Sequence, residues 1–136
     1  MSAPKAFIDS NVLLYLLSAD TVKADVAESV VAGGGVISVQ VLNEVTNVIR
    51  RKLDMSWDET IEVLGLVRSL CPVEPLTVET HEHGLRIAQR YGLAVYDAMI
   101  VAAALLAGCE TLYSEDMHNG LAIDRRLRIR NPFVTV

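Results

Sequence analysis

The sequence predicts an α/β fold, a three-layer α/β/α arrangement with a central parallel sheet of four to five short strands, and three observations carry that prediction. Short apolar runs alternate along the chain with longer stretches whose apolar residues recur every three or four positions. Strands that short and that apolar, each followed by a helix, suit a parallel sheet covered on both faces. No Ser-rich linker, charge run or internal repeat divides the 136 residues, so residues 1–136 are read as a single domain. A domain of that length buries roughly two-thirds of the surface its unfolded chain exposes and needs no disulfide or metal to fold.

Taken in order, Lys5–Ile8 is the first apolar run, and Ser10 is expected to cap a helix carrying Val12, Leu13, Leu14, Leu16 and Leu17. A second helix starts at Asp20, with Val22, Val26, Ala27 and Val30 on a helical period, and Gly33–Gly35 stops it. Val36–Ser38 reads as the second strand. From Gln40 to Leu53 the residues Val41, Leu42, Val45, Val48 and Ile49 make one apolar stripe. Ser56 and Glu59 have the spacing of a capping box and open a helix through Ile61, Leu64, Val67 and Leu70. Cys71–Pro75 is a brief extended piece whose prolines suit a sheet edge. Thr77 caps a helix ending at Gly92, and the strongly apolar Tyr96–Ala107 helix is stopped by Gly108. Thr111–Ser114 and Arg128–Val136 complete the strands.

Composition narrows the function. At 51% hydrophobic and 21% charged the chain is neither disordered nor of low complexity, and with 5% aromatics its core must be aliphatic. Cys71 and Cys109 exclude a disulfide scaffold, lack the spacing of a zinc site, and are expected to be small core residues. No signal-peptide pattern opens the chain. Its longest uncharged apolar run, Ala98–Cys109, falls short of the about 20 residues that span a bilayer. The expectation is a cytoplasmic protein without membrane contact. A net charge of −5 argues against a protein that coats nucleic acid by charge alone.

The acidic residues fall in a pattern. In a parallel sheet the strands end on one edge, where ligands bind, and the connecting helices begin there. Asp9 follows the first strand, Asp116 lies two residues past Ser114, Glu44 sits about one turn into the helix after the second strand, and Asp97 starts a helix. Four carboxylates distant in sequence are thus aimed at one rim. Each alone is an ordinary cap or surface residue; together, with no matching set of Lys or Arg, they call for a divalent cation with oxygen ligands. Setting these four aside changes the net charge from −5 to −1. Against that nearly neutral remainder stand two basic clusters, Arg125-Arg126-Leu127-Arg128-Ile129-Arg130 and Arg50-Arg51-Lys52. The first, through Arg125, Arg126 and Arg128, is expected to contact phosphates along a nucleic-acid track. Acids, metal and basic flanks together suggest phosphodiester chemistry with Mg²⁺.

The segments Phe7–Leu13, Leu42–Val45, Tyr96–Ile100 and Tyr113–Met117 resemble the four motifs of PIN-domain ribonucleases, in order and at similar spacing, and Asn131-Pro132-Phe133 resembles the family's last strand. The resemblance spans essentially the whole chain and is nearest to the single-domain VapC-type toxins of bacterial toxin–antitoxin pairs. It implies Mg²⁺- or Mn²⁺-dependent cleavage of RNA, a small cognate antitoxin, and a homodimer. Residue by residue, it assigns Asp9, Glu44, Asp97 and Asp116 as the catalytic and metal-binding quartet, with Asn11 and Ser114 in support. Ser10 stands where many members have Thr, which keeps the hydroxyl, and Glu115 is read as facing outward.

Other features are read structurally. His81 and His83, two apart on a helix, point in different directions and are surface residues. His118 is kept outside the catalytic set. Gly33–Gly35 lacks the Lys and Ser/Thr of a phosphate loop. Trp57 is read as a packing residue. The competing functions are a metal-dependent phosphatase or DNA nuclease, a receiver-type signalling domain, and a catalytically silent PIN-like interaction module. The receiver class needs a Lys near its last strand, and after Phe133 the chain has only Val-Thr-Val.

Overall fold

Phe7 and Ile8 are neighbours in β1 (Ala6–Ile8) and both are fully buried, so this strand is covered on both faces. It lies in a four-stranded sheet of order β1-β4-β6-β5, where β4 is Thr111–Tyr113, β5 is Ala122–Ile123 and β6 is Leu127–Arg130. β1, β4 and β6 are parallel, with Phe7 opposite Leu112 and Leu112 opposite Ile129. A two-stranded parallel sheet, β2 (Ile37–Ser38) with β3 (Val73–Glu74), joins β1 through a bridge between Phe7 and Val36. The computed structural model describes residues 5–134.

Among the described residues six helices surround these strands: α1 (Ser10–Tyr15), α2 (Thr21–Ala32), α3 (Val39–Arg51), α4 (Trp57–Leu70), α5 (Val78–Tyr91) and α6 (Val95–Leu106). α6 is buried from Ala98 through Leu105 without a break, as a helix apolar on all sides must be. It packs between α5 and α3. α3 buries the stripe Val41, Val45 and Ile49, and its opposite side is polar. Ser56 and Glu59 form the expected capping box of α4, and Gly92 ends α5 at a φ of 69°. Cys71 and Cys109 are free thiols in the core. Among the described residues no helix is long and apolar enough to cross a membrane.

Three local expectations change. Asp9, not Ser10, caps α1: its carboxylate accepts from the Ser10 N–H, and Ser10 becomes the first helical residue. β5 is an additional strand, and it runs antiparallel to β6. A turn with Asp124 and Arg125 at φ of 52° and 58° makes that hairpin without the glycine that usually signals it. Asp124 is held there by Arg86 at 2.8 Å and by the Tyr91 hydroxyl. The final strand ends at Arg130. Asn131, Pro132 and Phe133 leave the sheet, and the Phe133 ring meets Tyr15 edge-on at 4.7 Å. The remainder of the expected strand, Thr135 and Val136, lies outside the described residues.

The Gly33–Gly35 turn does more than end α2. A Cβ on Gly35 would stand 2.7 Å from Cγ1 of the fully buried Ile8 and against its Cδ1, so this glycine lets the chain approach β1. Gly65 is different: it lies exposed within α4, and a Cβ there meets nothing within 4 Å. Chemical denaturation is expected to show Gly35→Ala destabilised by about 1–3 kcal/mol through overpacking, and Gly65→Ala stabilised by roughly 0.5–1 kcal/mol through helix propensity. Equal responses at the two positions are not compatible with this packing.

Candidate metal-binding active site

The parallel ladder places the first acid. The backbone N–H of Asp9 donates to the Tyr113 carbonyl at 3.0 Å, and that of Ser114 donates to the Arg130 carbonyl at 3.0 Å. Both residues therefore sit side by side where β1 and β4 end. Asp9 is only 2% exposed. One carboxylate oxygen accepts from the Ser10 N–H at 2.7 Å; the other accepts from Ser114 Oγ at 2.7 Å and Asn11 Nδ2 at 3.1 Å.

The same polar residues reach the other acids. Asn11 Nδ2 also lies 3.2 Å from Asp116 Oδ2, while its Oδ1 accepts from the Glu115 N–H at 3.0 Å, which fixes the loop after β4. Ser10 Oγ donates to Glu44 Oε1 at 2.9 Å, and Gln40 Nε2 holds Glu44 Oε2 at 3.1 Å from one turn earlier on α3. Asp97 occupies the first turn of α6, where no side-chain cap bond forms. Burial raises its pKa, and the charges of Glu44 and Asp116 raise it further. The Asp9 pKa is pushed up to about 6, chiefly by burial, with the Ser114 and Ser10 hydrogen bonds opposing and Glu44 and Asp97 adding repulsion. The four expected acids, with Asn11 and Ser114, thus come together at one rim.

Every donor to Asp9 and Glu44 among the described residues is neutral. Among the described residues the Lys and Arg ion pairs are Lys23–Glu115 and Arg86–Asp124, so no Lys or Arg compensates the quartet. Glu115 does turn away from it, to Lys23 at 2.7 Å and the Tyr15 hydroxyl at 2.5 Å. The donors left to a ligand are carboxylate oxygens, which fit a hard divalent cation. Among the described residues no three acidic, His or Cys side chains close on one point. Such spacing leaves room for water to complete the shell of an ion, the usual habit of Mg²⁺. Two contributors carry weak sequence signals: Ser10, with the pattern of a cap, bridges toward Glu44, and Gln40 is marked only by its i,i+4 spacing from Glu44.

The first arginine cluster is not at this rim. β6 runs parallel to β4 and begins at Leu127, so Arg125 and Arg126, in the turn before it, lie at the opposite end of the sheet, beside Gly108 and Glu110. Arg128 is level with Thr111, the first residue of β4, and its guanidinium donates to the Gly120 carbonyl at 3.1 Å. The expected phosphate track through Arg125, Arg126 and Arg128 is thereby separated from the acids by the length of the strands. A groove that does reach the site follows the polar side of α3, from Gln40 and Glu44 past Asn43 and Asn47 to Arg50 and Arg51, with Tyr96 and Trp57 also lining it. Trp57 is 59% exposed rather than packed, and the Arg50 guanidinium lies over its ring at 4.2 Å.

The model of the PIN domain matches residues 6–119. Solved structures with the same fold include a toxin–antitoxin complex from Klebsiella pneumoniae, at a TM-score of 0.71 and 20% identity, with 94% of this chain and 98% of that one covered. They also include VapC20 from Mycobacterium tuberculosis, described as a toxin cleaving the sarcin–ricin loop, at 0.68 and 18% identity over 82% and 90% of the two chains. A DNA-bound VapBC from Salmonella typhimurium aligns at 0.66 and 18% identity over 96% and 99%. At these identities the likeness is one of fold. No curated protein sequence gives a significant match.

The raised pKa of Asp9 makes a signed stability prediction for the metal-free protein. Well below pH 3.8 the carboxyl is protonated in the folded and unfolded chains alike and has no effect. Between its ordinary value of 3.8 and about 6 the unfolded chain releases the proton first, so folding stability falls, and the full penalty is present above that window. Relative to the native chain, Asp9→Asn is expected to gain on the order of 2 kcal/mol between pH 4 and pH 7 in denaturant melts with chelator present. A difference between the two proteins that does not change with pH would remove the repulsive, desolvated carboxylate from this account.

Proposed function

This chain belongs to the PIN-domain family, and on that premise we propose that it is a metal-dependent endoribonuclease and the toxin of a toxin–antitoxin pair. The observation that carries the proposal is the rim itself: four carboxylates from four separate segments, three of them braced by neutral donors and, among the described residues, none paired with a cation. Asp9, Glu44, Asp97 and Asp116 are the residues that would hold Mg²⁺ or Mn²⁺. A bound ion of this kind lowers the pKa of an attacking water and neutralises charge building on the phosphate oxygens.

The chain's own contribution is placement. Ser10, Asn11 and Ser114 hold Asp9 in one rotamer from three directions. Ser10 and Gln40 grip opposite oxygens of Glu44, so that side chain faces the rim instead of solvent. Asn11 ties Asp116 to Asp9 across the gap between β1 and the loop after β4. Among the described residues no side chain braces Asp97, whose carboxylate keeps its oxygens for a ligand. Carboxylates already fixed in place would hold a cation without having to reorganise, and it is that cation which would stabilise the negative charge developing on the phosphate. In the reaction, a water oxygen bonds to phosphorus and the bond from phosphorus to the 3′ oxygen breaks. The 3′ oxygen takes up a proton, leaving a 3′-hydroxyl and a 5′-phosphate.

The partners follow from the same reading. RNA is the substrate, a small cognate antitoxin restrains the enzyme, and a second copy of the chain completes a homodimer in the cytoplasm. The folds named above support the antitoxin, since the Klebsiella pneumoniae structure is described as a toxin–antitoxin complex. A negative pocket lacking its own cation suits an inhibitor that inserts an Arg or Lys between Asp9 and Asp97.

Purified protein is expected to cut RNA only with Mg²⁺ or Mn²⁺, to stop with EDTA, and to leave 5′-phosphate ends. Asp97→Asn should lower the rate by about 100-fold or more while thermal melts show an intact fold. Cyclic phosphate ends would falsify hydrolysis by water, because they record attack by the ribose 2′-hydroxyl. Expression of the chain alone should arrest growth, and co-expression of a small antitoxin gene beside its own should relieve the arrest. Active ribonuclease in vitro without arrest in the cell would end the toxin assignment and leave the nuclease standing.

A further inference from the structure

The groove along α3 has a composition that the acidic site does not explain. Gln40, Asn43, Glu44, Asn47, Arg50 and Arg51 recur at helical spacing and form one polar side of α3, opposite the buried Val41, Val45 and Ile49. Glu44 belongs both to this side and to the quartet, so the groove opens directly from the rim. Two aromatic side chains complete it, Tyr96 at 68% exposure, next to Asp97, and Trp57 at 59%, beyond Arg50. Among the described residues neither Arg50 nor Arg51 pairs with a carboxylate. Arg50 is held instead over the Trp57 ring and against the Met55 carbonyl, which fixes the ring while leaving more than half of the residue exposed.

We propose that this groove is the track for single-stranded RNA leading to the acidic rim, with Trp57 as a base-stacking platform and Arg50 and Arg51 as its phosphate contacts. The proposal rests on the nuclease reading and adds where the substrate lies. Each part has a physical task. Aromatic faces accept any base by stacking, so they hold a strand without reading its sequence. The exposed amides of Asn43 and Asn47 offer donors and acceptors to base edges. Cations at the far end and carboxylates at the near end make the strand's affinity grow with distance from the quartet, where a cation must first offset the repulsion. A peptide occupant is less well matched. A groove with more apolar walls lies elsewhere, lined by Leu14, Leu17, Val48 and Leu53 beside Asn11 and Asp116.

Trp57 is the chain's single tryptophan, so its emission reports on this position alone. The experiment titrates the full chain, as Asp97→Asn to prevent turnover, with a short mixed-sequence single-stranded oligoribonucleotide and with an abasic strand of the same length. Saturable quenching by the first, and binding of the second that is weaker and leaves the emission unchanged, is the expected result. Trp57→Ala should raise the dissociation constant for the base-bearing strand about tenfold, measured by anisotropy, and Trp57→Phe should recover most of it. Arg50→Ala with Arg51→Ala should reduce the salt slope by about 0.7 for each arginine that contacts phosphate. RNA that binds with unchanged emission and unchanged affinity for Trp57→Ala overturns the track, as does quenching by a cognate antitoxin peptide but not by RNA. The two proposals separate cleanly. Quenching and tenfold loss without any cleavage by the native chain sustain the track and remove the nuclease, whereas native cleavage with an unaltered KM in Trp57→Ala does the reverse.

Discussion

A buried carboxylate at the end of a parallel strand organises this molecule. Asp9 is held by the β1–β4 ladder on its backbone side and by Ser10, Asn11 and Ser114 on its side-chain side. Those hydrogen bonds are what make a nearly inaccessible anion tolerable. They also join three separate pieces of chain, since Asn11 continues to Asp116 and the loop after β4, and Ser10 continues to Glu44 on α3. Ser10 and Asn11 each hold two acids, so removing Asn11 loosens Asp9 and Asp116 together. The donors that surround Asp9 and Glu44 are neutral, so the negative charge at the rim is not cancelled by a Lys or Arg among the described residues.

The apolar frame serves the same end. α6 is buried along most of its length, and its immersion fixes where its first turn, and so Asp97, meets the rim. α3 is fixed by Val41, Val45 and Ile49, which leaves its polar side to carry Glu44 inward and the amides and arginines outward. Gly35 permits the close approach of the chain to Ile8 that brings Val36, and with it the β2 end of α3, against β1. Packing thus converts four scattered residues into one constellation. The four acids gather at one end of the sheet, while Arg125 and Arg126 lie at the other.

Much of this architecture is legible in the amino-acid sequence. Helix α3 declares its inward stripe through Val41, Val45 and Ile49, α4 its start through Ser56 and Glu59, and α5 its stop through Gly92. The convergence of Asp9, Glu44, Asp97 and Asp116 follows from topology, because strand ends and helix starts share an edge in a parallel sheet. The hairpin of β5 and β6 is not legible in the same way. Its turn uses Asp124 and Arg125 in a conformation that glycine ordinarily supplies, stabilised by Arg86 and Tyr91 more than thirty residues away. The location of Arg125 and Arg126 is hidden with it.

The sequence by itself determined the periodicities, the caps and the residue types at each strand end, since these depend on neighbours a few positions apart. From them come the α/β class and the acidic quartet. Only the tertiary structure decided which basic cluster borders the acids. An additional antiparallel strand turns the chain around before β6, so arginines close to Asp116 in sequence lie across the sheet from it, while Arg50 and Arg51, remote in sequence, share a helix face with Glu44. The exposure of Trp57 was likewise undecided by its neighbours, because a capping box specifies where a helix begins and not which side of its first residue the core will cover.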